Sequence, residues 1–440
     1  MTDLKAGDPA LPAFPELIRV FARIGVLSFG GPAGQIALMH RELVDERGWI
    51  GEQDYLHALN FCHLLPGPEA QQLATYIGWK LHGLRGGLAA GALFVVPGAL
   101  VMLALSALYM VAADVSWFSA LFLGIKAAVL AIIVQALLRI AGRALQTGFK
   151  RALALLAFVA LFAFNLPFPV VVLGAGLVGF LVAMRRPDLL AVQNEEGAML
   201  PSRPALRPML LTIAAWGIVW ALPLVAIYAT LGEGHVLWKI GTFFSQLAVV
   251  TFGGAYAVLA YMAQQAVQGF GWLSAGEMAD GLGLAETTPG PLIMVTQFVG
   301  FLAAYRAPDP FSPWVAGLLG AGLTTWVTFA PCFLWIFTFA PWIDRLRHAQ
   351  RLKGGLAAIT ASIVGVIANL SVWFALHVLF ARVGTMASWG LHVPVPNWSS
   401  FDARAGGIAV LAAVLLFGLR RSVGMTLAVS ALAGLVLGAV

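Results

Sequence analysis

Residues 28–49, "SFGGPAGQIALMHRELVDERGW", are matched at a constant spacing of 223 by residues 251–272, "TFGGAYAVLAYMAQQAVQGFGW". The register runs on until Pro66-Gly67-Pro68 falls on Pro289-Gly290-Pro291. Over positions 28–68 twelve residues are identical, among them Phe29/Phe252, Gly30/Gly253, Gly31/Gly254 and Trp49/Trp272. One residue out of that register, "YIGW" at 76–79 meets "FVGF" at 298–301, and after an insertion containing "RAPDPFSPW" the segment 94–102 is similar to 329–337. A period of half the chain is far outside the ~20–50 residues of a solenoid repeat. The chain is a duplicated unit, and its fold has to place two copies.

The medium follows from composition. With 60% hydrophobic and 10% charged residues, and a mean hydropathy of +0.88, there are too few polar side chains to coat a soluble globule of 440 residues. Apolar runs at 86–113, 117–138, 152–164, 168–184, 209–229, 313–341, 356–381, 408–419 and 425–440 approach the ~20 residues of a membrane-spanning helix. The expected class is therefore an all-α, polytopic integral membrane protein. The N-terminus lacks the basic, apolar, small-residue order of a cleaved signal peptide and is expected to stay on the mature chain. Cys62 and Cys332 lie in apolar segments without metal-ligand spacing, so no metal or cofactor is expected. The formal charge of +6 is explained by loops retained on the cytoplasmic side, and nucleic-acid binding is not expected.

Those basic loops give an orientation. Arg41/Arg47, Lys80/Arg85, Arg139/Arg143/Lys150/Arg151 and Arg185/Arg186 with Arg203/Arg207 in the first half, and Arg345/Arg347/Arg351/Lys353 and Arg420/Arg421 in the second, are all expected at the cytoplasmic face. The segment 55–79 has basic residues at both ends and Pro66-Gly67-Pro68 near its centre, so it reads as a re-entrant helical hairpin. Non-helical backbone at membrane depth is tolerated only where it is buried in protein or lines a polar cavity, which makes the tip a candidate site. An odd number of spans separates the copies, and Arg41 and Arg47 become Gln264 and Phe270 in the second. The second copy is therefore expected upside down. The division is 1–193 for the first repeat, 194–208 for a polar linker, 209–239 for a connecting transmembrane helix, and 240–440 for the inverted second repeat. Each repeat should hold a broken first helix and a Pro-Gly-Pro hairpin.

Inverted repeats with broken helices are a construction of secondary transporters, and half-helix N-termini aimed at the midplane suit an anion. The competing explanation for the paired glycines is close helix packing. Candidate substrate-binding residues are Ser28, Gly30, Gly31, Pro66, Gly67, Pro68, Gln71, Gln72 and Thr75 in the first repeat. Thr251, Gly253, Gly254, Thr287, Thr288, Pro289, Gly290 and Pro291 are their companions in the second. Hydroxyls and amides at such a tip can donate to an oxyanion without adding charge. Glu69 and Glu286 are either proton carriers or hydrated residues of a vestibule, and Lys126 is either an intramembrane cation for the anion or a side chain that snorkels to an interface. The charges from Arg41 to Arg47 read as a solvated, partly self-paired loop. No P-loop and no zinc motif is present, so an enzyme is not expected. A channel of the same architecture, or an intramembrane enzyme built on His63 and Glu69, are the competing classes.

Together, "SFGGPAGQIALMHRELVDERGWI", "LLPGPEAQQLATYIGW", "VTFGGAYAVLAYM" and "TTPGPLIMVTQFVGF" resemble the chromate ion transporter family in its long, two-domain form. The resemblance implies a multi-pass protein of the cytoplasmic membrane, surrounded by lipid, that exports chromate and confers chromate resistance, with sulfate as a competitor or related substrate. It carries the family's motif onto Phe29, Gly30, Gly31, Pro32, Pro66, Gly67, Pro68, Gln71 and Gln72, and onto Phe252, Gly253, Gly254, Pro289, Gly290 and Pro291. Ala255 stands where the first repeat has Pro32, so the two tips need not contribute equally. Whether copies of the chain associate as a homo-oligomer is left open. Spacing alone reaches a tetrahedral oxyanion and does not identify chromium.

Overall fold

The computed structural model describes residues 11–29, 31–112, 115–191, 206–252, 255–343, 349–388 and 391–438. These residues are mostly helical, as the composition requires. The first copy opens with α1 (Phe14–Leu27), a break at Ser28 and Phe29, and α2 (Gly31–His40), which ends in a π turn at Arg41–Asp45. Then come α3 (Glu52–Cys62), the Pro-Gly-Pro turn and α4 (Glu69–Ala112). The second copy repeats this order with α9 (Val236–Val250), a break at Thr251 and Phe252, α10 (Ala255–Gln264) with its π turn Gln265–Gly269, and α11 (Ala275–Thr287). A second Pro-Gly-Pro turn leads to α12 (Val295–Arg306) and α13 (Pro313–Phe339). Between the copies lie α5 (Ser116–Ala144), α6 (Gly148–Phe162), α7 (Phe168–Ala183) and α8 (Leu206–Leu231); α14 (Gln350–Leu379), α15 (Ala403–Ala413) and α16 (Val423–Gly438) close the chain.

Although α4 counts as one element, it is two helices. His82 (φ −135°, ψ 25°) and Gly83 (φ 59°, ψ −150°) reverse the chain inside it, and the halves pack back to back. A Cβ on Gly78 would stand 2.3 Å from the Gly86 carbonyl oxygen. In the second copy, where α12 and α13 are separate, a Cβ on Gly320 would stand 2.3 Å from the Gly300 oxygen. Gly78 and Gly300 are thus equivalent, and so are Gly86 and Gly320. That places Pro97 on Pro331, both within helices, and moves the expected pairing of 94–102 with 329–337 by one residue.

Apolar side chains sort into two main cores that exchange long helices. The first joins Leu17, Phe21 and Ile24 of α1, Phe61 of α3 and Leu73 and Ile77 of α4 to Ile336 and Phe337 at the end of α13. The second joins Phe244 of α9, Leu282 of α11 and Phe298 of α12 to Val95, Met102 and Tyr109 in the far half of α4. The helices flanking each copy's Pro-Gly-Pro turn therefore rest on the other copy's long helix.

Among the described residues, five helical segments are long and apolar enough to cross a membrane by length and composition: Glu69–Ala112 (the kinked α4), Ser116–Ala144, Leu206–Leu231, Pro313–Trp342 and Arg351–Leu379. Of these α8 buries none of its residues, and it touches α13 through Trp216 stacked on Phe333 and through Trp326, whose Nε1 donates to the Val219 carbonyl. A helix this apolar, packed on one side through Trp216, Trp220 and Leu224 and with no residue fully buried, is suited to face lipid on its other sides. It ends at Leu231, and α9 begins at Val236. The linker expected at 194–208 lies outside the described residues up to 205.

Among the described residues, the departure from helix stands between α14 and α15. Val383–Ser388 and Leu391–Pro396 form an antiparallel hairpin in the register Val383↔Pro396 to Ser388↔Leu391, and His392 N–H donates to the Ala163 carbonyl at 2.7 Å. The segment "HVPVPNWSSFDAR" lies between apolar runs, where a plain loop would suffice. Its alternating Val residues are the strand signal.

Candidate functional site

The Pro-Gly-Pro turns have left-handed glycines, Gly67 at φ 119° and Gly290 at φ 91°, and each turn is locked to the break in the other copy. Gly67 N–H donates to the Thr251 carbonyl at 2.7 Å, and Gly290 N–H donates to the Ser28 carbonyl at 2.9 Å. Ser28 corresponds to Thr251 and Gly67 to Gly290, so these are one contact made twice. Behind each glycine runs the other copy's long helix. A Cβ on Gly67 would lie 2.9 Å from Cys332 Sγ, and one on Gly290 would lie 3.0 Å from Gly98 Cα. Cys332 follows Pro331 as Gly98 follows Pro97.

The consequence is electrostatic. At one crossing the N-terminus of α4 meets the break that precedes α10, and at the other the first turn after Pro291 meets the break that precedes α2. The first backbone N–H groups of a helix have no intrahelical acceptor, and the aligned peptide dipoles leave about half a positive charge there. Four such ends converge in two pairs, a setting that favours an anion.

Most of the side chains expected at these tips are there, buried. Ser28, Gln71, Gln72 and Thr75 have no exposed surface, and Thr251, Glu69 and Thr288 retain 6% or less. Gly31 opens α2 at φ 69°. Pro66, Pro68, Pro289 and Pro291 flank the glycines, while Thr287 is exposed. Gly30, Gly253 and Gly254 lie outside the described residues. Gln35 ties the second crossing together, donating to the carbonyls of Gly290 at 2.6 Å and Ser28 at 3.4 Å.

The hydroxyls do not hold the role expected of them. Ser28 Oγ donates to Ile24 O and Thr251 Oγ1 to Leu247 O, both at 2.6 Å, and Thr75, Thr287 and Thr288 also give their protons to carbonyls of their own helices. A buried hydroxyl with a carbonyl of the preceding turn in reach satisfies itself there. The groups left able to donate are then the helix-end N–H groups and the second amide proton of Gln71, since the Gln72 side chain also hydrogen-bonds Cys332. Gln71 donates to Thr75 Oγ1 at 3.2 Å and Gln72 to Pro66 O at 2.6 Å. Their Oε1 atoms, and that of Gln297 on α12, are buried without a hydrogen-bond partner among the described residues.

The charged candidates separate. Glu69, at the first turn of α4, has His63 Nδ1 3.7 Å from its Oε1. Glu286 corresponds by register to His63, not to Glu69, and lines a closed crevice with Val129, Ile133 and Leu259. Lys126 is neither at a crossing nor snorkelling without a partner: its Nζ lies 3.0 Å from Asp280 Oδ1 on α11. Asp280, Tyr109 and Gly98 were not singled out by sequence, because their significance lies in partners on other helices. A lone Asp in an apolar hairpin helix was the available signal.

Away from the Pro-Gly-Pro turns, Lys80 pairs with Asp54 at 2.7 Å and Arg306 with Glu277. The charged block after α2 is not simply solvated. Its π turn swings Glu42 inward to zero exposure, 2.5 Å from Arg47 and 3.6 Å from Arg23 of α1. The corresponding residues in the second copy are Gln265, Phe270 and Gln246, all neutral. Where Arg47 lies over the Trp49 ring at 5.8 Å, Phe270 stacks on Trp272 at 4.2 Å.

Comparison with known proteins follows the duplication. A family described as Chromate transporter matches residues 15–180 and 238–438. A "Chromate transport protein" of Pseudomonas aeruginosa is 32% identical over 83% of this chain and 82% of its own length. A "Probable chromate transport protein" of Synechococcus elongatus is 27% identical over 90% and 96%. The "Uncharacterized transporter YwrB" of Bacillus subtilis is 31% identical over 152 residues, which make up 34% of this chain but 75% of that protein. No solved structure matches the chain significantly.

Proposed function

This chain belongs to the chromate transporter family, and we propose that it is a secondary transporter that exports chromate across the cytoplasmic membrane and so confers chromate resistance. Family membership makes it a multi-pass membrane protein of transport rather than catalysis. The observation that carries the finer reading is the doubled contact of Gly67 with Thr251 and Gly290 with Ser28. It supports two re-entrant hairpins entering from opposite faces of an inverted repeat, with chromate held where the helix N-termini converge.

Neutral donors suit this cargo. Amides and helix ends recognise the charge and tetrahedral shape of a dianion and carry nothing specific to chromium, so sulfate is a competitor on this reading. An inside-negative potential drives charge outward with ~2.3 kcal/mol per charge per 100 mV, about twice that for chromate. Export can therefore run on the potential, while uptake of a dianion needs coupled protons. Glu69 and Glu286 are the carboxylates beside the tips that would carry them.

The test is chromate flux in proteoliposomes containing only the purified chain, with membrane potential and pH gradient set independently and sulfate added. Flux that follows the potential without a pH gradient, shows counterflow and falls with sulfate is expected. Flux far above a carrier's and without counterflow would make the protein a channel. Absence of chromate flux under every gradient would end the proposal.

The inverted arrangement has its own check. Single cysteines replacing Arg47 and Phe270, in a background lacking Cys62 and Cys332, are expected to react with an impermeant thiol reagent from opposite sides. Reaction from one side only would rule the inversion out.

A further inference from the structure

Away from both crossings, three elements share a buried polar cluster. Asp280 of α11 is 6% exposed; besides the Lys126 ammonium of α5, it accepts a 2.7 Å hydrogen bond from the Tyr109 hydroxyl of α4. The Lys126 side chain keeps 23% of its surface. The repeat does not demand this cluster, because the counterpart of Asp280 is His57. Nor does stability, since well-packed apolar residues commonly hold two helices together as well as a buried ion pair does. Charges at membrane depth are expensive and are kept where they act.

The neighbouring surface says where this pair would act. Beyond Lys126, α5 continues through Val129 and Ile133, and beyond Asp280, α11 continues through Leu282 and Glu286. Those four residues, with Leu292, line a closed crevice with no room for a water molecule. Leu292 directly follows the second Pro-Gly-Pro turn. Seven residues of helix span about 10 Å. One seam between α5 and α11 thus has the helix-end crossing at one end and the ammonium at the other, and it is shut here.

We propose that Lys126 is a second subsite for the transported dianion, at the far end of this seam, and that Asp280 is the placeholder that occupies it when no anion is present. While the seam is closed, the carboxylate holds the ammonium. When the seam opens, the dianion takes the ammonium over, and Tyr109 keeps the released carboxylate hydrogen-bonded. The inference rests on the transport reading above.

Opposite signs distinguish a placeholder from a structural ion pair. Equilibrium binding of radiolabelled chromate, and in parallel radiolabelled sulfate, is measured on the purified full-length protein. Lys126→Gln is expected to weaken binding roughly tenfold by removing a charged donor, and Asp280→Asn to tighten it several-fold by freeing the ammonium. The double variant, which leaves no unpaired charge, should behave like Lys126→Gln. If the wild type binds and the single variants shift in the same direction, or neither shifts, the subsite is overturned while the transport reading stands. If the wild type binds neither anion, the transport reading falls and the subsite with it.

Discussion

Gly67→Ala and Gly290→Ala are each expected to reduce chromate flux at least about tenfold while the protein still inserts, because each adds a methyl to a left-handed residue at a crossing. Backbone strain alone accounts for about 1–2 kcal/mol of this at each site. Contact adds the rest, and it differs between the two. The new methyl at Gly67 meets Cys332 Sγ and the Gln72 amide, both side-chain ends, whereas the one at Gly290 meets Gly98 backbone. Cys332→Ala should therefore partly restore flux to Gly67→Ala, and no trimming of a side chain should restore Gly290→Ala. Gly48 is the control, left-handed at φ 61° with nothing within 4 Å of an added Cβ. Gly48→Ala should keep flux near wild type. Equal losses in all three variants would show that strain, not the crossing, is responsible.

The other large effect concerns folding. Gly320→Val is expected to remove about 3 kcal/mol or more, seen as early thermal unfolding in detergent, because the closest approach of α12 and α13 has no room for a side chain. Gly78→Val should act alike in the first copy, where a Cβ would also stand 2.6 Å from Ala90 Cβ. Gly322, two residues along the same helix, has nothing within 4 Å, so Gly322→Val should cost little. Comparable stability of the Gly320 and Gly322 variants would contradict the crossing. Small residues at such points let helices associate in a membrane through backbone contact, where no hydrophobic force between helices is available.

Much of this was legible in the residues. The spacing of 223 located the breaks and the tips and predicted that Ser28 and Thr251, like Gly67 and Gly290, occupy equivalent places. It did not say that they touch each other crosswise, because a repeat fixes what is alike and not what is adjacent. The partners Gly98 and Cys332 were hidden by the insertion that shifts the register after Gly300. Glu42 read as solvated because a π turn breaks the periodicity from which burial is judged. Lys126 was visible as an intramembrane charge, but Asp280, 154 positions away, gained its meaning only when the fold brought the two within 3.0 Å.

Because each half holds one carbonyl of the other, the two Pro-Gly-Pro turns are mechanically tied together. Displacing the first tip tugs on the end of α9, and displacing the second tugs on the end of α1. The molecule is hung like a balance with two arms tied to each other's beams. On the transport reading proposed above, lowering one side alters the other, and a shared load at the fulcrum is not open to both pans at once.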